Sequence, residues 1–297
     1  MASEFQRITV EKDGEVAIVT MLDHWEEKGE SRDLHHPTEK IHMTKEVADA
    51  IEDLRRDSSI RVIVLTGSGQ TFKVPPADYS KPEGGKYSKN DPRYLWEGMI
   101  NGIIRGHQAM AECEKPIVAR VNGDAIGLGQ SLMFASDIII AEENAKIVDH
   151  HLSMGEIDGM RMEYGIVPGD GGSALLPLFM PPTLAKEYLM LGKPYRASEL
   201  AEMGLINYAV AEGELDTKTA EIVERLLGRS AYALAWAKRT ANRRVINHLN
   251  MTLDAAAAYE MVNFYQIEWL DWDDPKKLTW EDDENTEGVK WSGDIDV

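Results

Sequence analysis

Residues 8–22, ITVEKDGEVAIVTML, alternate apolar and polar positions around an Asp-Gly pair, the pattern of a β-hairpin. Residues 43–59 change period: Val47, Ile51 and Leu54 recur at helical spacing behind Thr44, a candidate N-cap. The run RVIVLTGSG (61–69) is continuously apolar before a Gly-rich stop, which predicts a buried strand and a parallel strand–helix–strand crossover. Beyond a polar loop from Phe72 to about Pro92 the alternation repeats: a helix over 94–114, a strand over 115–123, a glycine-opened helix over 125–136 and a strand over 137–148. From Ala185 onward the patterning is mostly helical, in five segments over 184–191, 197–204, 215–230, 231–249 and 251–270. The fold class is therefore α/β, with a core over 1–200, a helical region over 201–270 and a terminal tail over 271–297.

Charge narrows the partners. Against 51 acidic residues stand 32 basic ones, a formal net charge of −19, which disfavours nucleic acid and anionic membranes. No apolar run is long enough to cross a bilayer, and the first residues lack the pattern of a signal or transit peptide, so a cytoplasmic location is expected. Cys113 is the sole cysteine and reads as structural. The paired His35 and His36 have no third ligand at recognisable spacing, so no metal is expected. The acidic tail is unusual in its tryptophans: Trp269, Trp272, Trp280 and Trp291 fall in the last 29 residues, which predicts docking on its own or a neighbouring subunit.

Two short stretches carry candidate chemistry. In VNGDAIGLGQSLMFASD, Gly127 and Gly129 flank Leu128 at a helix start, where early N–H groups lack intrahelical partners and the positive helix end can meet a developing anion. The alternative is a tight loop that binds nothing. In YGIVPGDGGSALLP (164–177), Asp170 lies between glycines ahead of an apolar helix. It reads either as a cap for that helix or as an acid/base withdrawn from water with a raised pKa, and the two roles are compatible.

These two stretches, with RVIVLTGSGQTF upstream and KEYLMLGKPYRASELAEMGLINYAV downstream, resemble the crotonase, or enoyl-CoA hydratase/isomerase, superfamily in the same order over roughly residues 8–265. The resemblance implies a spiral of β-β-α repeats with a C-terminal helical trimerisation region, assembled as a homotrimer or a dimer of trimers. It also implies an oxyanion hole of two backbone N–H groups, one at Leu128 and one from FKVPPAD. That second segment departs from the family pattern: Pro75 and Pro76 have no N–H, leaving Val74 as the candidate donor. The two glutamates of a hydratase fall on Ser131 and at or near Arg161, neither a carboxylate, although Glu156, Asp158 or Glu163 lie in the same lengthened loop.

GIVPGDG matches, letter for letter, the β-diketone hydrolases typified by 6-oxocamphor hydrolase. The resemblance makes Asp170, His151 and Glu260 the catalytic candidates, with His150 beside them, and Gly127, Leu128, Gly129 and Val74 the substrate-binding ones. The histidine that those hydrolases use at the oxyanion position is Leu128 here. Three activities follow as expectations: enolate stabilisation on an acyl-CoA with Asp170 as acid/base; hydrolysis of a carbon–carbon bond in a cyclic β-diketone without coenzyme A; or an inactive assembly subunit. Coenzyme A enters only as part of a substrate, and its phosphates would require basic residues such as Lys73, Lys81, Lys86 and Lys89.

Overall fold

The computed structural model describes residues 5, 7–22, 43–72, 96, 98–152, 156, 157, 160, 161 and 166–266. Strands β1 (Ile8–Asp13) and β2 (Val16–Met21) form the expected hairpin, with Asp13 opposite Val16 and Gly14 turning the chain at φ +57°. Strand β2 then pairs in parallel with β3 (Val62–Gly67), β3 with β4 (Ile117–Val121), β4 with β6 (Ile138–Glu142) and β6 with β11 (Tyr208–Val210), giving a six-stranded sheet. A second sheet of order β10 (Tyr195–Arg196), β7 (Lys146–Val148), β5 (Ala125–Ile126) lies beside it. Strands β4 and β6 in the large sheet are each followed by one in the small sheet, so the chain turns a corner at these two steps of a spiral.

The sheet is covered on both faces, which explains the unbroken apolar run of β3. Ile63 and Leu65 join the main core, packed with Val47, Ile51 and Leu54 of helix α1 (Met43–Arg56). Val62 and Val64 face a smaller cluster with Leu215 and Ile222 of helix α7 (Leu215–Leu227). The other helices are α2 (Arg105–Glu112), α3 (Leu128–Phe134), α4 (Gly172–Phe179), α5 (Pro182–Leu191), α6 (Ala197–Glu202), α8 (Ala231–Ala241) and α9 (Arg243–Gln266).

Several expectations change. Thr44 is not a cap: α1 begins at Met43, which puts Thr44, fully buried, in its first turn. Residues 137–148 form two strands, because the turn at Glu143 and Asn144 carries the chain from the large sheet to the small one. The helix over 94–114 contains a π-helical stretch at Met99–Ile104 before α2. The mostly helical C-terminal part also contributes β10 and β11, and its last two helices divide at Asn242 rather than near residue 250. Asn242 Nδ2 donates to the Ala111 carbonyl at the break. Val74, the four candidate lysines, His35, His36, Asp158, Glu163 and the tail lie outside the described residues.

Candidate active site

The end of β7 builds the centre. Gly127 N–H donates to Val148 O at 2.9 Å, fastening the last residue of that strand to the head of α3, and the next three residues are Asp149, His150 and His151. His151 Nδ1 lies 2.7 Å from Asp149 Oδ1, so an ionised Asp149 fixes the proton on Nδ1 and turns Nε2 the other way. On that side Nε2 is 3.6 Å from Asp170 Oδ2 and 3.7 Å from Glu260 Oε1. All four side chains are buried.

Each acid arrives on a different element. Asp170 lies one residue before the N-cap of α4, which is Gly171, and its carboxylate accepts the Gly172 N–H, so it meets the helix head without occupying the cap position. Glu260 comes from α9, which approaches so closely that a Cβ at Gly169 would lie 2.6 Å from its carboxylate. Gly172 is equally constrained, since a Cβ there would sit 1.9 Å from Asp149 Oδ2. The glycines around Asp170 thus let α9 and β7 close on one point.

The first turn of α3 completes the shell. Ser131 Oγ is 3.3 Å from Asp170 Oδ1 and 3.4 Å from Gly127 O, two acceptors for its one proton. Gln130 Nε2 donates to Asp149 Oδ2 at 3.4 Å, and Tyr188 OH donates to Gln130 Oε1 at 3.5 Å. Ser131, at the first hydratase-glutamate position, serves here as a neutral contact to Asp170. Arg161, at the second, lies in the short β9 (Met160–Arg161), paired with β8 (Glu156–Ile157).

Electrostatics follow from packing four ionisable groups away from water. Burial raises the Asp170 carboxyl to about 6, with the His151 charge opposing it. Burial likewise pushes Glu260 up to about 8 against the same opposing charge. Burial acts to lower His151, yet Asp170, Asp149 and Glu260 together raise it to about 10. Burial acts to raise Asp149 too, but His151, by charge and hydrogen bond, holds it below its ordinary value. The cluster therefore favours a charged His151 beside an ionised Asp149, with Asp170 and Glu260 both shifted toward their protonated forms. Protons are shared among groups titrating on both sides of neutrality, which suits acid–base chemistry.

Asp149, His151 and Asp170 can also bring one ligand atom each within 4.8 Å of one another. The 2.7 Å hydrogen bond between Asp149 Oδ1 and His151 Nδ1 occupies one atom of each residue and leaves His151 Nε2 facing Asp170.

The three catalytic candidates of the sequence, Asp170, His151 and Glu260, thus meet in one place, beside the glycine-opened helix of Gly127, Leu128 and Gly129. Asp149, Gln130 and Tyr188 were missed. The available signal for Asp149 was an acid two residues before a histidine at the end of a strand.

A two-sheet α/β spiral with a helix head beside a buried acid–base cluster defines a class of enzyme-like scaffold. The enoyl-CoA hydratase/isomerase family matches residues 34–268, and the chain belongs to that family, within the crotonase superfamily. A short-chain-enoyl-CoA hydratase of Clostridium acetobutylicum is 27% identical over 88% of this chain and 89% of its own. A carnitinyl-CoA dehydratase of Salmonella enteritidis is 29% identical over 64% of this chain and 66% of its own. Among solved structures, an enoyl-CoA hydratase/isomerase from Mycobacterium paratuberculosis superposes with TM-score 0.70 at 28% identity, covering 87% of this chain and 94% of that one. A β-diketone hydrolase from Anabaena sp. PCC 7120, bound to (S)-3-oxocyclohexyl acetic acid, shares the fold with TM-score 0.70 at 22% identity, over 89% and 96% of the two chains.

Proposed function

We propose that this chain hydrolyses a carbon–carbon bond of a cyclic β-diketone. Water adds to one carbonyl, the bond to the central carbon breaks, and the leaving enolate takes up a proton to give a keto acid. The observation that carries this reading is His151 held between Asp149 on one nitrogen and the Asp170/Glu260 pair, 3.6 and 3.7 Å away, on the other. Separations just beyond hydrogen-bond reach suit groups that share a bridging molecule. Asp170, about 6, takes the proton of the attacking water, and Glu260, about 8, supplies one to the enolate, with His151 relaying between them. The head of α3, through Leu128 N–H, stabilises the developing oxyanion.

A second reading, enolate chemistry on an acyl-CoA with Asp170 as the acid/base, is favoured by the family match and by relatives named for coenzyme A thioesters. Against an inactive subunit stands the cluster itself, because buried, mutually perturbed ionisable groups cost stability and concentrate at functional sites.

The test is turnover of 2-substituted cyclohexane-1,3-diones followed by loss of ultraviolet absorbance and by keto-acid mass, alongside crotonyl-CoA hydration. Diketone cleavage that falls at least about 100-fold in Asp170→Asn is expected. Hydration of crotonyl-CoA with intact diketones moves the assignment to the second reading. Turnover of neither overturns both.

A further inference from the structure

Pro75 and Pro76 remove backbone donors from the segment that should supply half of an oxyanion hole. Val74, outside the described residues, is the candidate donor left in that segment, and beside Leu128 N–H an oxyanion with three lone pairs has room for a further donor.

His150 lies against that helix head. A Cβ built on Gly127 would be 2.3 Å from His150 Cε1 and 2.5 Å from Nδ1, so only a glycine N-cap lets the Cε1–Nδ1 edge of the ring rest there. Gly127 holds φ +54°, a second reason for glycine at this position. His150 Nδ1 is buried and has no hydrogen-bond partner among the described residues, an expensive arrangement for a structural side chain. His151 is no substitute, as its ring, 5.0 Å away between centroids, is committed to Asp149.

We propose that His150 is a further oxyanion donor of this site, its Nδ1–H taking the place of a backbone N–H that the prolines abolish and binding the same substrate oxygen as Leu128 N–H. This rests on the reading of the site as one that stabilises an enolate or oxyanion, and it holds for a diketone or a thioester alike. The ring's charge state fits the role: burial, with the neighbouring His151 charge, lowers His150 to about 3, so it is a neutral imidazole at working pH. A neutral imidazole donates a hydrogen bond to an oxyanion without transferring its proton outright.

The experiment measures binding of two stable enolate-forming probes, 1,3-cyclohexanedione and acetoacetyl-CoA, to the full-length protein and to His150→Phe, His150→Gln and Leu128→Pro. Phe fills the ring's space without a donor, Gln restores an N–H, and Pro at the first helical position removes the amide proton together with the Leu128 side chain, so a Leu128→Ala control separates the two losses. Binding of at least one probe should weaken about 10–100-fold in His150→Phe, recover in part in His150→Gln, and weaken comparably in Leu128→Pro. In the unaltered protein the His150 Nδ1 proton and nitrogen resonances should shift on adding that probe, a readout that survives if the Phe variant does not fold. Equal binding by His150→Phe with loss in Leu128→Pro would overturn the role of His150 and leave the site reading intact. Failure of the unaltered protein to bind either probe overturns both.

Discussion

Asp149 sets the chemistry of His151 without facing the reacting groups. Replacing it with Asn keeps the shape but removes the charge that helps hold His151 near 10, and it allows the ring to carry its proton on either nitrogen. Asp149→Asn should lower kcat about 100-fold or more, with a smaller change in KM. The His151 pKa, read from its ring resonances, should fall at the same time. Unaltered kcat with a lowered His151 pKa would remove His151 from the proton path. The same groups give stability a definite pH dependence. Asp170 and Glu260 are raised in the folded state, so ionising them on the way from about pH 4 to about 8 costs the fold more than the unfolded chain. His151 is raised as well, so its contribution is present below pH 6.5 and is lost toward about 10. His150 is lowered, which costs stability as pH falls from 6.5 toward about 3. Tm should therefore peak at about pH 4 and decline above it, most steeply above about 6.5, and Glu260→Gln should flatten the alkaline decline. These residues were legible unequally. Asp170, His151 and Glu260 could be placed because several segments resembled one family in order, whereas Gln130 and Tyr188 act through contacts made by elements distant in the chain, and Asp149 was marked only by its place two residues before His151.

Among the described residues, helix α8 is joined to the rest of the fold by two charged contacts, of which that of Lys238 is the shielded one and that of Arg239 with Glu114 the exposed one. Lys238 Nζ lies 2.6 Å from Asp137 Oδ2 and donates to Lys115 O at 2.9 Å, while Asp137 also accepts the Ile117 N–H at 2.7 Å. The Lys238 side chain is 7% exposed and that of Asp137 20%, so the pair is shielded from water. Burial raises the Asp137 pKa in spite of its cation. Lys238→Met should thus cost about 3 kcal/mol in urea unfolding, since an acid deprived of its partner must be buried charged or take up a proton. Adding Asp137→Asn should recover much of that loss. A single-variant cost below about 1 kcal/mol would show that the pair does not anchor α8. No sequence pattern announced this link: Asp137 read as the start of a strand, and Lys238 fell inside the helical segment over 231–249. What was legible at this scale was periodicity, which located β1 to β4 and α1. What was not was division of one apolar run between two sheets, as in β6 and β7, because a four-residue turn there has no strong breaker. Strands β10 and β11 were equally hidden, being two and three residues long.

The whole molecule leaves an apolar face uncovered among its described residues. Helix α8 buries no residue, and Tyr232 and Trp236 are 73% and 66% exposed. On α9, Met251, Tyr259 and Val262 are 79%, 65% and 66% exposed. Large apolar side chains gathered on one helical pair mark a surface that another chain covers, and a net charge of −19 would otherwise keep copies apart. The expected partner is a second and third copy of this chain. Light scattering at micromolar concentration should then report about three or six times the 33.3 kDa of one chain. Trp236→Glu combined with Tyr259→Glu should shift the mass toward the monomer, because a carboxylate buried at a subunit contact is left unpaired. The competing occupant is the acidic, Trp-bearing tail folding back on its own chain. In that case the unaltered protein is monomeric and removing residues 271–297 drives association. A trimer that persists without the tail assigns the face to neighbouring subunits, and it would make Glu260, on the same helix as Tyr259 but on its buried side, sensitive to assembly, so that activity and mass fall together on dilution.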